Sequence, residues 1–155
     1  DNNAITIPTN PTPIIPTPTP NLLNLASINS IASKNISYVG DAISYATTVS
    51  NVGNVPLGTY DVPVTVFTEL SPSVSFIPGS LSINNVPVNC VNPSQINLGI
   101  LQPGDVRIIT YSVRVNNACP NIVYNIQKLL YGYDPLYIGT STFSVNGNIV
   151  MTYIN

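Results

Sequence analysis

The chain has 155 residues, of which 6% are charged, with a formal net charge of −2, no His and no Trp. Four basic residues, Lys34, Arg107, Arg114 and Lys128, cannot build the cationic surface that nucleic acid or an anionic membrane demands. Most acid–base chemistry near neutral pH uses His or a tuned carboxylate; with no His and a single Glu, Glu69, the composition argues against an enzyme and calls for no cofactor or metal.

Residues 1–21 differ in kind from the rest. They hold Pro8, Pro11, Pro13, Pro16, Pro18 and Pro20, six of the fifteen prolines, interleaved with Thr and Ile. Proline fixes φ and removes a backbone donor, so this stretch is neither helix nor central strand. It is expected to be a polyproline spacer, preceded by the alternating tetrad Ala4-Ile5-Thr6-Ile7. The opening at Asp1, without Met or an apolar leader, reads as a mature chain whose export signal has been removed. No apolar run approaches the ~20 residues that span a bilayer.

From residue 22 to 155 the pattern is that of an all-β domain. Ile43, Tyr45, Thr47 and Val49 share one face of a strand. Val62–Phe67 is a second candidate, after the turn-rich Asn51–Asn54, and Ser80–Ile83 is a short one that runs into Asn84-Asn85. Val106–Val115 is the longest candidate; both of its faces carry apolar groups, so a central position is expected. Asn121–Tyr131 and Thr140–Tyr153 supply the last strands. β-branched residues dominate and helix formers are scarce. Turns at Gly40-Asp41, Pro78-Gly79, Pro103-Gly104 and Asn146-Gly147 recur at sandwich spacing. Two antiparallel sheets packed face to face are expected.

Val39-Gly40-Asp41-Ala42-Ile43-Ser44-Tyr45 leads into Val49-Ser50-Asn51-Val52-Gly53-Asn54-Val55-Pro56-Leu57. Further on stand Val74-Ser75-Phe76-Ile77-Pro78-Gly79-Ser80-Leu81-Ser82-Ile83-Asn84, the turn Leu98-Gly99-Ile100-Leu101-Gln102-Pro103-Gly104 and a closing Asn148-Ile149-Val150. These segments, in order over about residues 22–155, resemble the conserved repeat domain of bacterial and archaeal surface proteins known as domain of unknown function eleven. The resemblance implies an immunoglobulin-like β-sandwich and export to a cell surface. Thr68 stands where that family often carries Asp, and only one repeat is present.

Asp41, Asp61, Asp105 and Asp134 each stand beside a turn, where such residues usually satisfy their own backbone, and form no metal motif. Lys34 and Lys128 are the side-chain amines available for a self-made isopeptide; Lys34 lies in a polar Ser-Lys-Asn run that reads as a solvated edge. Asn35-Ile36-Ser37 is a glycosylation sequon. Tyr124, Tyr131, Tyr133 and Tyr137 gather near the C-terminal strands and read as edge and interface packing, with a carbohydrate platform as the alternative.

Cys90 and Cys119 are the two cysteines. The expected strand order brings both to one end of the sandwich after two reversals, which favours an intrachain disulfide; a bridge between subunits and two buried free thiols are the alternatives. The uncharged polar surface suits packing against copies of the same chain. The reading that joins these features is an extracellular structural subunit on a cell or spore surface. It polymerises head to tail by donating Ala4, Ile5, Thr6 and Ile7 to an open sheet edge of the next copy, with Ile14 and Ile15 as the alternative joint in the same arm. The alternative is a stalk or adhesin module that binds a host or carbohydrate ligand.

Overall fold

The structure, a computed structural model, describes residues 4–14, 16, 21–90, 92–136 and 139–155. Among the described residues twelve strands follow one another: β1 (Ala26–Ala32), β2 (Ile36–Ser37), β3 (Ala42–Asn51), β4 (Val64–Leu70), β5 (Val74–Phe76), β6 (Ser82–Ile83), β7 (Val86–Pro87), β8 (Gln95–Gly99), β9 (Val106–Val115), β10 (Ile122–Tyr133), β11 (Ser141–Asn146) and β12 (Val150–Ile154). No helix occurs among the described residues. One sheet has the order β1-β3-β9-β6-β7, with β5 also on β9; the other has the order β2-β12-β10-β4-β8, with β11 also on β10. This is the all-β, immunoglobulin-like sandwich expected. One pair departs from the antiparallel rule: β2 runs parallel to β12.

The alternation read in the sequence is the one that builds the core. Along β3, Ile43, Tyr45, Thr47, Val49 and Asn51 are buried, and their neighbours face outward. β9 is central, between β3 and the β5/β6 pair. Ile109, Tyr111, Val113 and Val115 face the core, whereas Val106 and Ile108 keep 43% and 44% of their surface. The longest strand is β10, with 12 residues against 10 for β9.

Two turns depart in instructive ways. Asn84 and Asn85 both take positive φ (50° and 63°), as a two-residue hairpin between right-twisted strands requires, and join β6 to β7. Asn146-Gly147, expected to be a reversal, is not one. β11 and β12 both pair with β10, Asn146 opposite Lys128 and Val150 opposite Asn125. They form one strand path with an extra residue between, a bulge that re-aims a side chain. Asn148 on this bulge accepts from the Ser30 backbone N–H (2.7 Å) and donates to the Ser30 carbonyl (2.8 Å), tying the second sheet to β1.

A polar cluster lies inside the core. Gln127 Oε1 accepts from Thr47 Oγ1 (2.5 Å) and Ser30 Oγ (2.6 Å), and the two hydroxyls are 2.9 Å apart. Gln127 Nε2 donates to Thr68 Oγ1 (3.1 Å). Ser30, Thr47 and Gln127 are buried, so these bonds form where water cannot replace them. Nearby, Tyr111 Oη donates to Asn125 Oδ1 (2.7 Å), and Tyr45 stacks at a tilt against Tyr111 with ring centroids 5.5 Å apart.

Candidate assembly surfaces

The root of the N-terminal arm is fixed by the loop after β3. Asn51 is buried; its Nδ2 donates to the carbonyls of Val55 (2.7 Å) and Leu101 (3.0 Å), and its Oδ1 accepts from Gly53 N–H (3.0 Å). That organises the loop. Leu57 and Leu101 then exchange backbone bonds of 2.9 Å in each direction. Gly53 lies so close to the chain entering β1 that a Cβ there would run into the carbonyl oxygen of Leu23. Asn54 completes the socket: Oδ1 accepts from Leu23 N–H (2.6 Å) and Nδ2 donates to the Asn21 carbonyl (2.7 Å). The Asn51-Val52-Gly53-Asn54 motif is therefore a clasp that sets where the arm leaves.

It leaves from the end of the sandwich that holds the start of β1, the end of β3 and the start of β9, as the pairs Ala26–Asn51 and Ser50–Val106 place them. This end is the arm pole; the other, with the start of β10 and the end of β9, is the far pole. Along the arm, Ile5, Ile7 and Ile14 are 87%, 80% and 93% exposed, so the described residues leave them almost uncovered. Ala4 and Thr6 are exposed as well. Ile15 and Tyr137 lie outside the described residues.

Sheet order leaves β1 and β7 at the sides of one sheet and β2 and β8 at the ends of the other, with β11 also along one flank. The β1 flank is closed by the two Asn148–Ser30 bonds. The β7/β8 flank is crossed by the connection carrying Val88 and Cys90, both half-buried against the core. Ile96 and Leu98 of β8 are buried, while Gln95 and Asn97 face out.

Cys90 and Cys119 are both free thiols, Cys90 half-buried and Cys119 exposed. The intrachain disulfide expected from the sequence is not formed, and a pair of buried thiols does not describe Cys119 either. Strand order supplies the reason. Both cysteines do lie toward the far pole, but β7 leads to Cys90 and β9 to Cys119, and β6 stands between those strands. Two strand spacings are roughly 10 Å, beyond the ~7 Å between Cα atoms that a disulfide tolerates.

The remaining residues singled out fall into place. Lys34 Nζ pairs with Asp41 Oδ2 at 3.1 Å on the surface. Lys34 and Ser37 hold the Asp41 carboxyl below its ordinary pKa. Asn35 is exposed, and its carbonyl accepts from Tyr153 N–H (2.9 Å). Asp105 accepts from the Gln102 N–H of its own turn (2.9 Å). No group of three or more metal-binding side chains occurs among the described residues. Tyr131 is buried and stacks on Phe143, while Tyr133 meets Phe143 edge-on. Tyr124 lies toward the opposite end of β10 and is half-buried.

Two hollows stand out among the described residues. One, of about 550 Å³ at the arm pole, is lined by Val55, Tyr60, Asp61, Ile100 and Tyr133 among others. The second, of about 560 Å³ on the outer face of the β4/β10 sheet, has Ile126 with Phe67 and Ile149 around it and the charges of Glu69 and Lys128.

No family model matches the chain, and no curated protein matches it. Among solved structures it is similar to the crystal structure of BcpA*(D312A), the major pilin subunit of Bacillus cereus. The TM-score is 0.59 at 8% identity, over 84% of this chain and 41% of that one; the chain thus spans about two fifths of the pilin's length. It is also similar to BslA, a bacterial hydrophobin, with a TM-score of 0.52 at 11% identity, over 88% of this chain and 98% of that one. The likeness is one of fold, a β-sandwich.

Proposed function

We propose that the chain is a non-enzymatic structural subunit of an extracellular fibre on a microbial cell or spore surface, joined head to tail through its N-terminal arm. The observation that carries this reading is the contrast between a sandwich closed by its own strands and an arm whose Ile5, Ile7 and Ile14 are 87%, 80% and 93% exposed. Apolar side chains held in water at the end of a clasped, proline-rich spacer are a donor without an acceptor. An open sheet edge is the complementary object, a row of unpaired N–H and C=O groups. Because β11 and β12 already close the sandwich, the donated segment extends an edge rather than replacing a missing strand. Head-to-tail donation does not close on itself, so it builds a filament. The pilin-like fold and the resemblance to the surface-protein repeat domain support this reading, as does the low surface charge.

The test is removal of residues 1–20 and, separately, the pair Ile5→Asp and Ile7→Asp, followed by electron microscopy and light scattering. Both variants are expected to stay folded and monomeric. Fibres from the truncated chain would overturn the reading. Fibres from the Asp variant alone would move the joint to Ile14-Ile15.

A ligand-displaying module is the second reading. It is favoured by the hollow at the arm pole, where Tyr60, 95% exposed, stands with Tyr133, Asp61 and Asp134. Aromatic faces with carboxylates beside them suit a carbohydrate.

A further inference from the structure

We infer that the acceptor for the arm is the outer edge of β8, paired antiparallel with Ala4–Ile7 of a neighbouring copy. The inference rests on the head-to-tail reading above and follows from strand direction, reach and side-chain pattern.

Direction comes first. In a head-to-tail stack the far pole of one subunit sits on the arm pole of the subunit below. The arm of the lower subunit enters at that far pole, and its tip points toward the upper subunit's arm pole. Read from N to C, the arm therefore runs from arm pole to far pole. β9 runs the same way, because Val106 is paired with Ser50 at the arm pole. So do β1, antiparallel to β3, and β7, antiparallel to β6, which is itself antiparallel to β9. β11 opposes β10, and β2 follows β12, which also opposes β10. All four of these edges would meet the arm in parallel. β8 opposes β4, which opposes β10, so β8 runs toward the arm pole and meets the arm antiparallel. Antiparallel pairing is slightly more stable per residue. β5 shares that direction but has three residues and lies beside the far pole, Val74 opposite Val115.

Reach agrees. At polyproline spacing the fourteen residues 8–21 can span roughly 43 Å. Gln95 lies level with Lys128 through Phe67, six residues along β10 from Ile122, or ~20 Å above the far pole. Gly99 lies about 10 Å further on. The arm therefore places Ile5 and Ile7 alongside β8 with roughly 10–20 Å left to cross the loops of the junction. It overshoots β5.

Pattern agrees too. On β8 the apolar Ile96 and Leu98 face the core and Gln95 and Asn97 face out. On the arm, Ile5 and Ile7 share one face and Ala4 and Thr6 the other. Setting Thr6 opposite Asn97 puts Ile5 beside Leu98 and Ile7 beside Ile96, so both isoleucines extend the apolar row on the core side. The flank there is lined by Val88 and Cys90, already half-buried.

The test is disulfide trapping in the full chain with Cys90→Ser and Cys119→Ser. Thr6→Cys is combined with Asn97→Cys, or with Ser144→Cys on β11 as the comparison. A reducible ladder of oligomers from the β8 pair and none from the β11 pair is expected. Fibres that form but cross-link through β11, or through neither edge, would overturn the β8 assignment and leave the fibre reading intact. A full-length parent chain that stays monomeric under all assembly conditions would overturn the fibre reading and this inference with it. Should the cysteine background fail to fold, hydrogen exchange on the unaltered chain decides. Assembly is expected to slow exchange of the outward amides of β8 by roughly tenfold or more; protection gained only elsewhere would refute the assignment.

Discussion

Replacing Gln127 by Met tests whether the buried polar cluster pins the two sheets together. The side chain is 1% exposed, and Met fills nearly the same space, so the packing change alone costs less than ~1.5 kcal/mol. What is lost is an acceptor shared by two hydroxyls, at 2.5 Å from Thr47 and 2.6 Å from Ser30. Ser30 and Thr47 can still pair with each other across 2.9 Å. That satisfies one hydroxyl hydrogen and orphans the other, at a cost of ~1–3 kcal/mol. Thr68 is half-buried and can turn to water. Gln127→Met should therefore lose about 1–3 kcal/mol in urea unfolding of the full chain, lowering Tm by roughly 3–5 °C per kcal/mol for a domain of this size. The triple variant Ser30→Ala, Thr47→Val, Gln127→Met removes every orphan together and should return to within ~1 kcal/mol of the parent. A single variant as stable as the parent, or a triple variant worse than the single one, would refute the account.

High pH attacks the same core. Burial pushes the Tyr45 hydroxyl up to about 12 and raises Tyr111, through burial first and the neighbouring Tyr45 second. A folded pKa above the unfolded value near 10 means that this contribution to stability is complete below pH 10 and is lost as pH rises toward the folded values. Each group costs ~1.4 kcal/mol per pH unit in that window. Phenolate absorbance from Tyr45 and Tyr111 is expected to appear only together with loss of the β-sheet spectrum; ionisation of all nine tyrosines in a chain that keeps that spectrum would contradict this. At the arm root, Asn54→Ala removes the bonds to Leu23 and Asn21; both are solvent-exposed, so water replaces them at little cost to the sandwich itself. The sandwich should keep its Tm while proteolysis near residues 21–25 quickens and fibre assembly weakens; unchanged proteolysis and assembly would show that the clasp does not position the arm.

What could be read from sequence follows from period and composition. The two-residue alternation of β3 and β9 reports which face is wet, and both strands stand where that pattern puts them. The Asn84-Asn85 pair predicted the end of a short strand and supplies a hairpin, because Asn tolerates the left-handed backbone. Asn146-Gly147 carries the same turn chemistry but sits opposite Gln127 as a bulge. Neither Asn146 nor Gly147 takes positive φ there, so the left-handed preference of the dipeptide goes unused and pairing with β10 sets the backbone instead.

The candidate site was legible in part for a related reason. The arm announced itself by proline content and by one alternating tetrad. The Asn51-Val52-Gly53-Asn54 segment was visible as a motif, yet its work as a clasp needs Leu23 and Asn21, about thirty residues earlier. Gln127 carried no signal at all: a lone Gln in a β-rich stretch reads as solvent-facing, and only Ser30 and Thr47 on the opposite sheet make it a buried pin. The disulfide expectation failed on lateral position. Counting reversals along a chain gives the end of the sandwich on which a residue lies, but not how many strands stand between it and another residue at that end. The same distinction selects β8. Every edge offers unpaired backbone, and sequence alone ranks them by apolarity; the direction in which each edge runs is a property of the whole topology, and among edges long enough to take the tetrad it leaves β8 to meet the incoming arm antiparallel.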